Sequence, residues 1–165
     1  MNEIPLQPQD VMRSSHVKRW HMVDTLKSQS LAEHAFNVAS YAAFLADRRG
    51  TPKKEVLWAA LYHDISEVMT GDLVPVLKRV IKYDDPIEAK LTYMGEPTAT
   101  KNEEIHEIVK LADMVDAVHF LHLYGVGKHA EEIRGKMLAS ITDPDALDLL
   151  EMLLRGEPTT LEEVV

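Results

Sequence analysis

The chain has 165 residues and a formal charge of −9, from 27 acidic against 18 basic side chains, with 45% hydrophobic and 27% charged residues. That is the make-up of one folded domain spanning 1–165, and the acidic excess argues against a broad nucleic-acid or anionic-membrane surface. With no cysteine there is neither a disulfide framework nor a thiolate metal site.

Residues 1–13 read as an N-terminal arm: the opening MNEIPLQPQD carries two prolines and lacks the basic start and apolar run of a signal peptide. From there the signals are helical throughout. Ser30-Leu31-Ala32-Glu33 fits a capping box, followed by an apolar stripe of Leu31, Ala35, Val38, Ala42 and Leu45. Gly50 ends that helix, and Thr51-Pro52 opens a second that is expected to run to about Val68 and stop at Thr70-Gly71-Asp72. Shorter helical pieces are expected after Pro75 and Pro86, around a loop-rich stretch at Gly95-Glu96-Pro97. A long helix spans about Glu103 to Tyr124, and Asp143-Pro144 caps a last one that Gly156 closes. Residues 157–165 form a tail. No β-alternation, repeat, Gly-rich phosphate loop or nucleophile elbow is present, so the fold class is all-α, a single bundle of about six or seven helices. No segment approaches the ~18 apolar residues of a spanning helix, and a cytoplasmic location is expected by elimination.

The second helix carries an anomaly. Leu57 and Leu61 lead at helical spacing into Asp64, and the neighbouring row runs Val56, Ala60, His63, Glu67. Acids and an imidazole on a face that should be buried cost several kcal/mol, roughly, unless protonated, paired or metal-bound. Asp113 repeats the pattern inside Val-Lys-Leu-Ala-Asp-Met-Val, and His34 stands one turn into the first long helix. Singly, each has an ordinary structural reading, Asp64 pairing with Lys78 and Asp113 with Lys110. Together, two histidines and two aspartates from three helices suit a borderline divalent ion, and such an ion activates water for hydrolysis.

The order His34, 28 residues, His63-Asp64, 48 residues, Asp113 resembles the signature of the HD-domain metallophosphohydrolases. Lys18-Arg19-Trp20-His21-Met22-Val23, Ser30-Leu31-Ala32-Glu33-His34, His63-Asp64-Ile65-Ser66-Glu67-Val68, Thr70-Gly71-Asp72-Leu73 and Lys110-Leu111-Ala112-Asp113 are similar to the deoxynucleotide branch, bacterial 5′-deoxynucleotidases and phage dATP triphosphohydrolases. The resemblance covers about residues 14–140. It implies His34, His63, Asp64 and Asp113 as metal ligands, with a divalent transition metal (zinc, cobalt or manganese) as cofactor and magnesium admitted as a second ion. It implies Glu67 as the acid that handles the proton, and Asp72 as a second acid near the reacting phosphate and sugar. Arg19, Lys78 and Lys110 match phosphate-binding cations, and Trp20 the aromatic that closes on sugar and base. Met22, two residues on, is a candidate base contact.

The implied function is hydrolysis of a small-molecule 2′-deoxynucleotide, in the host cytoplasm if phage-encoded, with no nucleic-acid or membrane partner. Between the two substrates, the compact chain and the extra cations favour dATP cleaved to deoxyadenosine and triphosphate. The 5′-deoxynucleotidase reading, dephosphorylation of dNMPs, is the alternative, and a non-catalytic nucleotide-sensing metal module is the competing class. The apolar remainder of the long helix and the relatives' assemblies imply a homo-oligomer, dimer or hexamer.

Overall fold

Ser30 and Glu33 close a reciprocal cap at the start of the first long helix: Ser30 Oγ accepts from Glu33 N at 3.2 Å, and Glu33 accepts from Ser30 N at 2.8 Å. The computed structural model describes residues 4–74, 89–91, 96–97 and 101–156, and among these it contains seven α-helices. They are α1 (Pro8–Met12), α2 (Leu31–Arg49), α3 (Lys53–Tyr62), α4 (Glu67–Thr70), α5 (Glu103–Tyr124), α6 (Gly127–Ser140) and α7 (Pro144–Arg155). The fold is all-α. Lys78, Pro75 and Pro86 lie outside the described residues, and with them the helical pieces expected there.

α2 packs on α3 and α5, and α7 closes the far side of the pair. Their shared core is built from Val38, Ala42, Leu45, Val56, Ala60, Ile108, Ala112, Val115, Val118 and Ala146, all fully buried. Alanines recur where the three helices meet, which lets the backbones approach closely. Leu45 and Ile108 fill the spaces between, each worth about 2–5 kcal/mol if truncated to alanine. α2 ends at Gly50, whose φ of 70° and ψ of 19° is the left-handed stop expected of that residue.

Three features depart from the sequence pattern. The helix expected from Thr51 to Val68 is broken: α3 ends at Tyr62, residues 63–66 form a turn, and α4 resumes at Glu67. Residues 16–30 are not helical but fold back as a loop, with Lys18 bridged to Ser30 and Thr25 to Gly125. Finally, the arm enters a small sheet that no β-alternation announces. Ile4–Leu6 (β1) lies parallel to Ala89–Leu91 (β2), which pairs antiparallel with Glu96–Pro97 (β3). This scrap of sheet delivers Leu6, fully buried, onto Ile65 beside Trp58, Tyr62 and Val68, so it covers the break between α3 and α4. α6, which carries only one buried residue, Ala130, had no clear apolar stripe to announce it. No helix among the described residues is long and apolar enough to cross a membrane.

Candidate metal centre and nucleotide site

The loop, the broken helix and the long helix each contribute to one cluster. His34, completely buried in α2, sits beside His63 at the C-terminus of α3, Asp64 in the following turn, and Asp113 midway along α5. His34 Nε2 lies 3.3 Å from His63 Nε2, 3.3 Å from Asp113 Oδ1 and 3.6 Å from Asp64 Oδ2, and His63 Nε2 lies 3.3 Å from that same Asp64 oxygen. His34, His63 and Asp113 each place a ligand atom within 4.8 Å of the other two. The break after Tyr62 is what allows His63 and Asp64, adjacent in sequence, to present atoms to one point. The four sequence candidates are therefore brought together.

The opposite ring nitrogens fix how the imidazoles face. His34 Nδ1 lies 2.7 Å from Asp116 Oδ2, and His63 Nδ1 lies 2.7 Å from the Ala60 carbonyl. A carboxylate and a carbonyl only accept, so both Nδ1 atoms carry hydrogen, and each ring in its neutral form turns an Nε2 lone pair toward the other. Two nitrogen ligands at about 2.0–2.1 Å from a tetrahedral ion stand about 3.3–3.4 Å apart. The donor set and its spacing thus fit a divalent metal. Without the ion a proton serves in its place. Burial opposes the charge on His63, but Asp64 and Asp113 outweigh it and push the imidazole up to about 9. His34 is raised as well, against burial, by Asp116 and Asp64. Asp64 is held well below the usual carboxylate range, burial being overcome by His63 and His34.

Arg19 enters from the loop. Its guanidinium lies 3.1 Å from Asp64 Oδ2 and 3.8 Å from Asp113 Oδ1, and its Nε is buried with no hydrogen-bond partner among the described residues. Burial works against its charge, but Asp113, Asp64, Asp72 and Glu67 hold it ionised. Both acids share this arginine, where an Asp113–Lys110 pairing is the ordinary reading of the sequence; the Asp64–Lys78 pairing lies outside the described residues. Glu67 opens α4 and is 5% exposed. Asp72 follows Gly71 and lies 3.8 Å from His21, a residue to which the sequence assigned no role. Lys110 is exposed one turn before Asp113, lining a surface hollow of about 310 Å³ with Lys101 and His106. Met22 is 66% exposed on the loop.

Trp20 adopts φ of 64°, a left-handed conformation uncommon for a bulky residue, and Val23 N donates to its carbonyl at 2.9 Å. Its ring stacks on Phe120 with centroids 5.9 Å apart and planes 5° from parallel. The stack anchors the loop on α5.

Sequence reasoning missed the groups beneath His34. Asp116, 1% exposed, receives His34 Nδ1 and, at 2.8 Å each, Gln29 Nε2 on Oδ2 and Asn37 Nδ2 on Oδ1. Burial disfavours this carboxylate's charge, but the donors from His34, Asn37 and Gln29 keep its pKa low. A signal existed for two of them: Asn37 lies one turn after His34, and Asp116 one turn after Asp113 on a buried stripe.

Comparison with known proteins agrees with this geometry. The family model for YfbR-like 5′-deoxynucleotidases matches residues 9–94. The dATP triphosphohydrolase of cyanophage S-2L is 32% identical over 165 aligned positions, covering 90% of this chain and 91% of that one. The 5′-deoxynucleotidase of Vibrio atlanticus strain LGP32 is 30% identical, covering 73% and 75%. Among solved structures, the cyanophage S-2L HD phosphohydrolase DatZ, bound to dA and one catalytic zinc ion, superposes with a TM-score of 0.71 at 27% identity, covering 92% of this chain and 96% of that one. Matched by the family model over more than half its length and by the phage relative over nine-tenths, the chain belongs to the YfbR-like 5′-deoxynucleotidase family of HD-domain phosphohydrolases.

Proposed function

We propose that the chain is a metal-dependent hydrolase of 2′-deoxynucleotides that converts dATP and water to deoxyadenosine and triphosphate. The observation that carries it is the pair of imidazole Nε2 atoms turned toward each other at 3.3 Å beside Asp113 and Asp64, with a buried arginine against both acids. The choice of dATP over a monophosphate is supported by the phage dATP triphosphohydrolase, which this chain matches nearly end to end, more fully than it matches the Vibrio 5′-deoxynucleotidase.

His34, His63, Asp64 and Asp113 would hold the ion, a divalent transition metal (zinc, cobalt or manganese), with zinc favoured by the zinc in the phage relative. When bound, such an ion acidifies water and polarises a phosphoryl oxygen. Around it, the chain's own groups position the reaction. Glu67 takes the proton of the attacking water, which forms a bond to the α-phosphorus as the bond from phosphorus to O5′ breaks. That proton finishes on O5′ of deoxyadenosine, passed by Glu67 or Asp72. Arg19 offers its fork to the phosphoryl oxygens, with Lys78 and Lys110 as further cations for the outer phosphates. Trp20 walls the sugar and base, crowding a 2′-hydroxyl, and Met22 borders the base. Exposed Phe36 and Leu123 on α2 and α5 support assembly of a homo-oligomer.

A panel of deoxy- and ribonucleoside mono- and triphosphates tests this reading. Triphosphate release from dATP, with ATP and dAMP poor substrates, is expected. Phosphate released from dAMP with dATP untouched would move the chain to the 5′-deoxynucleotidase activity for which its family is named.

A further inference from the structure

Gln29 stands immediately before the N-cap of α2 and is 2% exposed. Its amide is committed at both ends. Trp20 Nε1 can only donate, so the atom 3.0 Å from it is the Gln29 carbonyl oxygen Oε1. An ionised Asp116 can only accept, so the atom 2.8 Å from its Oδ2 is the Gln29 amide nitrogen Nε2. That same Oδ2 accepts from His34 Nδ1 at 2.7 Å, and the other nitrogen of the ring belongs to the donor cluster.

An unbroken row of directed hydrogen bonds therefore runs from the indole to the metal-facing imidazole. The backbone reinforces it, since Arg19 N donates to Gln29 O at 2.9 Å and ties the Arg19-Trp20 turn to the residue that bridges it. The side-chain type matters. Glutamate would set a second carboxylate against Asp116 Oδ2 and lose the donor, leucine would leave the indole N–H and Oδ2 each short of a partner, and asparagine is one methylene too short for the span.

We propose that Gln29 is a positioning residue coupling Trp20 to His34, so that the placement of the nucleoside-facing aromatic and the affinity of the metal centre depend on one another. The roles of Trp20 and His34 in this statement rest on the function proposed above. Because one carboxylate oxygen serves both the amide and the imidazole, loss of the amide alters how firmly His34 is held. Because the indole is held by the Gln29 amide on one side and by the Phe120 stack, loss of the amide leaves the stack to fix the ring without its hydrogen bond.

The test uses full-length protein carrying Trp58→Phe, which leaves Trp20 as the lone tryptophan emitter. Zinc affinity is measured by competition with a chromogenic chelator, and Trp20 emission with acrylamide quenching is recorded metal-free and zinc-loaded, both without nucleotide. KM and kcat for dATP are measured separately. In the parent, zinc loading is expected to shift Trp20 emission. Gln29→Leu should abolish that shift, weaken zinc about tenfold and raise KM for dATP several-fold with a smaller change in kcat. Asn37→Leu, which removes a donor to Asp116 Oδ1 without touching Trp20, should weaken zinc yet preserve the zinc-dependent shift.

Trp20→Phe keeps an aromatic ring but lacks the N–H, and it should weaken zinc several-fold although, among the described residues, Trp20 makes no hydrogen bond or ring contact to a candidate ligand. Should Gln29→Leu fail to fold, Trp20→Phe on the half-exposed loop decides the matter alone. Zinc affinity unchanged by Trp20→Phe, or a zinc-dependent shift that survives Gln29→Leu, overturns the coupling. Absence of turnover with every deoxynucleotide would instead remove the proposed function, leaving the zinc and emission measurements to judge the coupling by themselves.

Discussion

Asp116 offers the sharpest separation of folding from metal binding. It is 1% exposed and accepts three hydrogen bonds, from His34, Gln29 and Asn37, at 2.7, 2.8 and 2.8 Å. Asp116→Ala leaves two buried donors and one half-buried donor without an acceptor, each costing about 1–3 kcal/mol. The sum, about 3–8 kcal/mol even with partial relaxation, rivals the whole stability of a domain this size, about 5–15 kcal/mol. Asp116→Asn is different. Its Oδ1 can replace the oxygen shared by His34 and Gln29, and its amide can donate to Asn37 once that side chain turns its own oxygen inward. Every group is then satisfied, and only the charge behind His34 is gone. The asparagine variant should unfold within about 2 kcal/mol of the parent but bind zinc about 10–100-fold more weakly. Urea unfolding of the metal-free proteins, paired with chelator competition, reads both quantities. An asparagine variant with parental zinc affinity, or an alanine variant as stable as the parent, would refute the reasoning.

Other changes have equally definite outcomes. Glu67→Gln should lower kcat by about 10²–10⁴-fold while metal content by elemental analysis stays at the parental level, since the role proposed for Glu67 is to move a proton and not to hold the ion. His63, pushed up to about 9, lies above its unfolded value of about 6.5, so its stabilising contribution is complete below pH 6.5 and lost as pH rises through 9. Thermal melts of the metal-free protein should therefore fall in Tm between those pH values, while zinc affinity rises by up to about tenfold per pH unit as the ion displaces the proton. Glu33 is lowered to about 2 by the Ser30 backbone N–H first and by Lys27 and the Ser30 hydroxyl after it, so its contribution is present above about pH 4.5 and lost toward pH 2. Ser30→Ala should cost about 1 kcal/mol in urea unfolding by removing the cap of α2.

Much of this molecule is legible in its sequence because helices advertise themselves locally. The Ser30–Glu33 box, Gly50 and the Asp143-Pro144 start mark boundaries that the structure keeps, and α5 runs from Glu103 to Tyr124 as expected. The four donors were legible for a related reason: polar side chains on buried stripes contradict the pattern around them. What sequence could not convey was long-range. Helix spacing continues smoothly through Tyr62, yet the chain breaks there, where Leu6, brought in by the arm, packs on Ile65 beyond the break. Residues 16–30 contain enough apolar side chains to imitate a helix. Their fold is set instead by bridges to Ser30 and Gly125, tens of residues away in the second case. Gln29 carries no local signal at all, since its meaning depends on Trp20 and Asp116 meeting across the bundle.

The central claim, a His-Asp metal centre that cleaves dATP on the sugar side of its α-phosphate, is tested most directly by following one reaction with ³¹P NMR. Protein stripped by chelator and then reloaded with zinc is incubated with dATP. Intact triphosphate should appear in equal amount with deoxyadenosine, only after reloading, and Asp64→Ala should abolish it. Orthophosphate or pyrophosphate as the released product, or equal turnover by the stripped protein, would contradict it.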